Sequence, residues 1–312
     1  HLPAISGIRV YLDIDLESPY GVGIGQPVPF MFNSASNPIR SLFTVNTSQP
    51  AGNRVSQRLD SVVSGLYNID ASLFIYGGET NDAIPAWMKL LEICGWRRDD
   101  ASGTPTFFCA PRDTGSATIR TFLGGPLHVA RGTRGLLSMV GVAGGGVELS
   151  VSLTGLFADA EIQEIPSVTL DTPAAAKACG LDYLIEVDGY GTIVPVIKSF
   201  SIDFGGQLAA RTPARRDAKV VEVFSNVNRI PVWGCVVEVN TQHDWLKWFQ
   251  EKRPVRLSMK VPTTGRKSIY ISLENYAATL ATDPTYAVDR NIRVWQLQFS
   301  VNSVESMKIE HR

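Results

Sequence analysis

The segment ATIRTFLGGPLHVARGTRGLLSMVGVAGGGVELSVSLTGLF, Ala117 to Phe157, is written in the period of a β-sheet. Val147, Leu149, Val151 and Leu153 alternate with Glu148, Ser150, Ser152 and Thr154. A strict period of two gives a strand with one apolar and one polar face. Gly144-Gly145-Gly146 precedes it, where a hairpin needs residues that tolerate positive φ. Gly124-Gly125-Pro126 marks an earlier turn, and Gly132 with Gly135 marks another. The segment is therefore expected to form a meander of four short antiparallel strands. It carries no recognisable chemistry.

Working outward, 312 residues predict roughly two domains at about 150 residues each. Hydrophobic content is 44% and net charge is −1. Near-neutrality offers no electrostatic case for wrapping nucleic acid or adhering to an anionic membrane. No apolar run reaches the length of about 18 residues needed to span a bilayer as a helix. Charged residues make up 19%, against about 25% in an average globular chain, and a surface short of charge suits coverage by neighbours. The amino end, HLPAISGIRVYLDIDLE, lacks the features of a signal peptide, and its start at His1 without methionine suggests a piece of a longer product. Cys94, Cys109, Cys179 and Cys235 show no metal spacing and read as free thiols of a reducing cytoplasm.

Ahead of the central segment, Ile8 to Leu16 alternates as a strand, and the glycines of Gly21 to Gly25 form a turn. Pro27 and Pro29 stand where a phosphate-binding loop would need a helix. Residues 39–45 and 59–76 read as strands joined by a polar loop, Asn46 to Arg58. A helix is expected with Asn81 or Asp82 as cap, Ile84, Trp87, Leu91 and Cys94 on one stripe, and Gly95 as terminator. Asp99 to Thr114 reads as loop, and Ile162 to Gly180, with two prolines, as a connector.

The plan then repeats. Phe200, Ile202 and Phe204 mark a strand, Gln207 to Arg216 a basic loop, and Lys219–Phe224 and Val232–Val239 further strands. Thr241 is placed to cap a helix bearing Trp245 and Trp248, which Arg253-Pro254 ends. Val255–Val261, Ser268–Asn275 and Ile292–Asn302 close the chain as strands. Both halves run strand, long basic loop, strands, helix, meander. The fold class expected is mainly β: two tandem-duplicated β-sandwich or barrel units, each with a short flanking helix and a long hairpin loop. Residues 1–165 form the first unit, 166–180 the connector and 181–312 the second.

Catalytic signals are lacking. His128 lies between Leu127 and Val129, His243 lies beside Asp244, and neither has a Ser or Cys partner in a nucleophile motif. Asp13 and Asp15 share the polar face of a strand, where a solvated face is the ordinary reading. No P-loop, HExxH, EF-hand or zinc spacing occurs. No catalytic, cofactor or metal residue is therefore assigned. The loop Arg211-Thr212-Pro213-Ala214-Arg215-Arg216 admits three readings: nucleic-acid contact, a grip on another subunit through bidentate ion pairs, or a plain exposed loop.

Several phrases in order carry a family likeness. Gly124 or Gly125 with His128, the turn Thr133-Arg134-Gly135, Leu153-Thr154-Gly155-Leu156-Phe157 and the opening Glu17-Ser18-Pro19-Tyr20-Gly21 together resemble the major tail tube proteins of long-tailed bacteriophages. They cover well under half of the chain, and Leu153 stands where the family usually has an aromatic. The resemblance implies a structural protein of the virion tail, assembled in the host cytoplasm into stacked rings. Its partners would be copies of itself and the proteins at the tube ends, and DNA would pass without specific binding. It favours the inter-subunit reading of the basic loops, with Arg54, Gln57, Arg58, Arg211, Arg215 and Arg216 as candidates. Two units per chain would close a ring with three chains. The rival is a monomeric carbohydrate-binding or glycoside-cleaving β-sandwich, using some of its six tryptophans and nine tyrosines as a sugar platform.

Overall fold

A computed structural model describes residues 10–30, 39–48, 59–80, 83–101, 103–110, 114–123, 126–162, 182–211, 222–225, 230–263 and 265–312. The first half contains β1 (Val10–Leu16), β2 (Val28–Phe30), β3 (Ile39–Ser48), β4 (Leu59–Phe74), helix α1 (Lys89–Ile93), β5 (Trp96–Asp99), β6 (Thr106–Cys109), β7 (Ala117–Leu123), β8 (Pro126–Val142) and β9 (Val147–Ile162). In the second half are β10 (Asp182–Val187), β11 (Gly191–Ile193), β12 (Ile197–Asp203), β13 (Leu208–Arg211), β14 (Glu222–Ser225) and β15 (Val232–Glu238). Helix α2 (Trp245–Gln250), β16 (Pro254–Val261), β17 (Ile269–Leu280), β18 (Thr285–Asp289), β19 (Ile292–Val301) and β20 (Met307–His311) complete it. The protein is mainly β, and all strand pairs in the described residues are antiparallel.

The pairings trace the same circuit twice. In the first half the lateral order is β2-β1-β7-β8-β9-β4-β3. In the second it is β11-β10-β16-β17-β19-β15-β12. In each, the helix precedes the strand that returns to pair with the circuit's first strand. The two circuits fuse where β12 adds to the edge of β8, with Ile202 opposite Met139 and Phe200 opposite Gly141. A second joint forms where β20 pairs with β6.

Fusion makes one continuous run, β3-β4-β9-β8-β12-β15-β19-β18. Alternation buries one face of it: Ile69, Leu73, Leu149, Val151, Met139, Ile202, Trp233 and Phe299 are at most 3% exposed. That face belongs to a single apolar cluster that also holds Leu12 and Ile14 of β1, Trp87, Leu90 and Leu91 at α1, and Trp245 of α2. Burial of this kind contributes roughly 1.5–3 kcal/mol per large side chain.

Several expectations are corrected. The central segment forms three strands, because Gly132 sits inside β8 with φ of 59° and makes a bulge, the register shifting between Arg131 and Arg134. The first helix is short: a 3-10 turn at Ala86–Met88 leads into α1 with no side-chain cap, while Asn81 and Asp82 lie outside the described residues. Trp87, Leu91 and Cys94 are nonetheless fully buried, and Gly95 has φ of 85°. The expected loop of residues 99–114 contains β6, which with β5 forms a hairpin. For α2 the cap is Asp244 rather than Thr241, its carboxylate accepting from the Lys247 amide at 3.1 Å. Asp13 and Asp15 are buried, not solvated. Asp13 pairs with Arg120 at 2.8 Å, and Asp15 accepts from the Gly25 and Gln26 amides at 3.0 Å each, fixing the glycine turn. The connector at 166–180 lies outside the described residues.

Candidate functional site

The polar face of the fused sheet is built by the same alternation that builds the core. β4 presents Asp70 and Ser72, β9 presents Glu148, Ser150 and Ser152, and β8 presents Ser138. Across the joint, β12 adds Ser199, Ser201 and Asp203, and β19 adds Gln296 and Gln298. A depression of about 430 Å³ in this face is lined by Asp70, Ser138, Ser150, Ser152 and Asp203, among others. The Ser152 hydroxyl donates to Asp70 at 2.7 Å.

Charge on this face is one-sided. Strands β4, β9 and β15 contain no lysine or arginine. On the neighbouring strands two cations are drawn into ion pairs: Lys198 with Glu238 at 3.0 Å, and Arg134 with Glu222 at 3.4 Å. The rest of this face carries hydroxyls, amides and carboxylates together with exposed Phe74, Val140 and Val142 and, beyond the Gly132 bulge, Arg131. The stretch built by β4, β9 and β15 offers no cation to displace the counterions of a phosphate backbone.

At the margin the β13–β14 hairpin is clamped onto the first half. The Tyr20 hydroxyl donates to the Gly132 carbonyl oxygen at 3.1 Å and accepts from the Val223 amide at 2.9 Å. Arg134 donates to the Val223 carbonyl at 2.7 Å and lies 5.3 Å from the centre of the Tyr20 ring. The Glu17 carboxylate accepts from the Gly132 amide at 2.8 Å, the Gly21 amide at 2.7 Å, and the Ser116 and Thr118 hydroxyls at 2.6 and 2.8 Å. Burial pushes the Tyr20 phenol up, and the Val223 amide and Arg134 oppose that shift.

Of the loop candidates, Arg211 ends β13 with its side chain 68% exposed and 3.9 Å from Glu222. Arg54, Gln57, Arg58, Arg215 and Arg216 lie outside the described residues. The strands leading to their loops are hairpin pairs: β3 with β4, and β13 with β14. Sequence reasoning did not find the anchor Tyr20–Gly132–Val223, since its members lie far apart in the chain. It saw the serine row of β9 but had no signal that β12 would continue it.

Elsewhere, two half-buried histidines and one buried thiol pack beside the core. His128 stacks on Tyr67 with ring centres 5.8 Å apart, and His243 lies 5.8 Å from Trp245 and 6.2 Å from Trp248; burial lowers both imidazole pKa values. The Cys235 thiol is pushed up to about 12 by burial. Among the described residues, no group of three His, Cys, Asp or Glu side chains could hold a metal ion. No helix among them is long and apolar enough to cross a membrane. No protein-family model matches the chain, and no curated protein matches it.

Proposed function

We propose that this chain is the building block of a phage tail tube, two tail-tube-type β units in tandem that self-assemble into stacked rings. The observation that carries the reading is the doubled strand circuit, fused into one sheet whose open face bears a row of hydroxyls and whose strands β4, β9 and β15 hold no lysine or arginine. A conduit must let DNA slide without holding it, and a lining of Ser150, Ser152, Ser201, Gln298 and the carboxylates of Asp70 and Asp203 suits that task. The motifs Glu17-Ser18-Pro19-Tyr20-Gly21 and Thr133-Arg134-Gly135 supply its second support. In the fold they meet, Arg134 lying 5.3 Å from the Tyr20 ring centre while Tyr20 and Glu17 both bond to Gly132 just ahead of the second motif.

The mechanism is mechanical and electrostatic. Ring closure covers sheet edges that would otherwise aggregate. Each chain occupies two positions of a pseudo-sixfold ring, so three chains close it. Hairpin loops bearing Arg211, Arg215 and Arg216, and Arg54, Gln57 and Arg58, reach neighbouring copies. The protein would reside in the virion tail after synthesis in the host cytoplasm, contacting other tail proteins at the tube ends. No reaction is assigned. Against the carbohydrate-binding rival, Trp87, Trp96, Trp233, Trp245 and Trp248 are at most 5% exposed and Trp295 is half-buried, which leaves tyrosines such as Tyr190 and Tyr286 as its exposed aromatics.

Negative-stain electron microscopy with sedimentation of the purified chain tests the reading. Rings or hollow tubes with three copies per turn are expected. Six copies per ring would overturn the trimer, and a homogeneous monomer at high concentration would overturn the tube.

A further inference from the structure

One sheet joint inside the chain is a template for a joint between chains. The edge of β8 at Ser138–Val142 receives β12 through Ser199–Asp203, antiparallel. In the second circuit β18 takes the place of that part of β8. Each passes through a tight turn into the strand, β9 or β19, that pairs with β4 or β15. In the first circuit β3 takes the place of β12, each lying on the outer side of β4 or β15. Among the described residues β18 pairs only with β19, and β3 only with β4.

We infer that β18 of one copy of this chain pairs antiparallel with β3 of the next copy, repeating the β8–β12 joint head to tail. The inference rests on the self-assembling reading above and names the surfaces through which it occurs. Such a contact is heterologous: the two edges differ, so every copy offers one of each and a ring can close.

The character of β18 supports it. Open edges in monomeric proteins are usually blunted by lysine, proline or a bulge. The strand TYAVD has none of these, and it exposes Tyr286 (49%) and Val288 (62%). Its turn into β19 has Arg290 and Asn291 both at positive φ (47° and 68°), the signature of a two-residue type I′ hairpin. Asp289 and Ile292 then form the hydrogen-bonded closing pair. The next pair, Val288 with Arg293, is of the non-bonded kind. The backbone N–H and C=O of Val288, and those of Tyr286 two residues earlier, therefore point away from β19 toward the open side.

Hydrogen exchange of the full chain, assembled against dissociated, tests this. The amides of Tyr286 and Val288 are expected to slow at least about tenfold on assembly, with matching protection across 39–48. Val288→Pro removes one outward N–H and leaves the β18–β19 ladder intact. It is expected to preserve the monomer's circular dichroism while raising the concentration needed for rings at least about tenfold. Rings with β18 amides as fast as in the monomer, or rings of Val288→Pro at the wild-type concentration, overturn the edge assignment and leave the tube reading standing. A wild-type chain that never assembles overturns both. Should Val288→Pro fail to fold, exchange on the wild type decides alone.

Discussion

The Tyr20 hydroxyl bonds to the carbonyl oxygen of Gly132 across 112 positions of sequence, at 3.1 Å. The bond depends on glycine, because a Cβ at position 132 would overlap the Tyr20 ring, and its φ of 59° suits no β-branched residue. Gly132→Ala is expected to cost about 2–4 kcal/mol through strain and displacement of Tyr20. Tyr20→Phe leaves the Val223 amide without its acceptor, and is expected to cost about 1–3 kcal/mol. Urea unfolding of the purified chain measures both. A loss below 0.5 kcal/mol, in the range of surface substitutions at about ±0.5 kcal/mol, would show that the anchor does not hold the hairpin.

Gly141 faces Phe200 at the joint of the two circuits, where a Cβ would run into the phenyl ring. Gly141→Ala is expected to destabilise by about 1–3 kcal/mol through overpacking. Phe200→Leu in the same chain should recover part of the loss, because the smaller side chain clears the added methyl. Thermal melts of the single and double variants check the coupling. Strict additivity of the two effects would place the strain elsewhere.

Stability should fall on acidification through the imidazole range. His128 and His243 both have pKa values lowered by burial from an ordinary 6.5. The unfolded chain therefore binds protons first as pH drops below about 6.5, and stability present above that pH is lost as pH falls toward the folded values. Replacing both residues, His128→Gln and His243→Gln, should flatten the wild-type decline in Tm between pH 7 and pH 5, leaving only what carboxylates contribute. An unchanged slope would assign the decline wholly to carboxylates.

The open face predicts an effect of added positive charge. Ser201 and Ser150 lie on the face where strands β4, β9 and β15 contain no lysine or arginine. Ser201→Arg at an exposed site, with Ser150→Arg at a half-buried one, should keep the fold at a cost of about 0.5–1 kcal/mol. Assembled tubes of the variant should retain DNA at low salt and release it as salt rises, the sign of phosphate contacts. Equal DNA retention by wild-type and variant tubes would mean this face does not line the conduit.

Local patterns carried well into the structure, and pairings did not. The alternation of Val147 to Leu153 and of Phe200 to Phe204 placed β9 and β12, and the stripe Trp87, Leu91, Cys94 placed the buried side of a helix. The reading failed where a residue's state depends on a distant partner. Gly132 looked like a turn, yet Glu17 and Tyr20 hold it as a bulge within one strand. Asp13 and Asp15 looked solvated, yet Arg120 and the amides of Gly25 and Gln26 bury them. The basic stretch that begins at Arg211 was legible as composition, but the anchor of its hairpin at Tyr20, Arg134 and Val223 was not.

Alternation is a property of the backbone itself: successive side chains of a strand point to opposite faces, so the order of residues alone determined which side chains enter the core. Choice of neighbour is different. Every strand edge offers the same row of N–H and C=O groups, so nothing local says that β8 will take β12 rather than another strand. Only the closing of both circuits around one shared apolar cluster decided that joint, and with it the continuous polar face that Ser138 and Ser201 share.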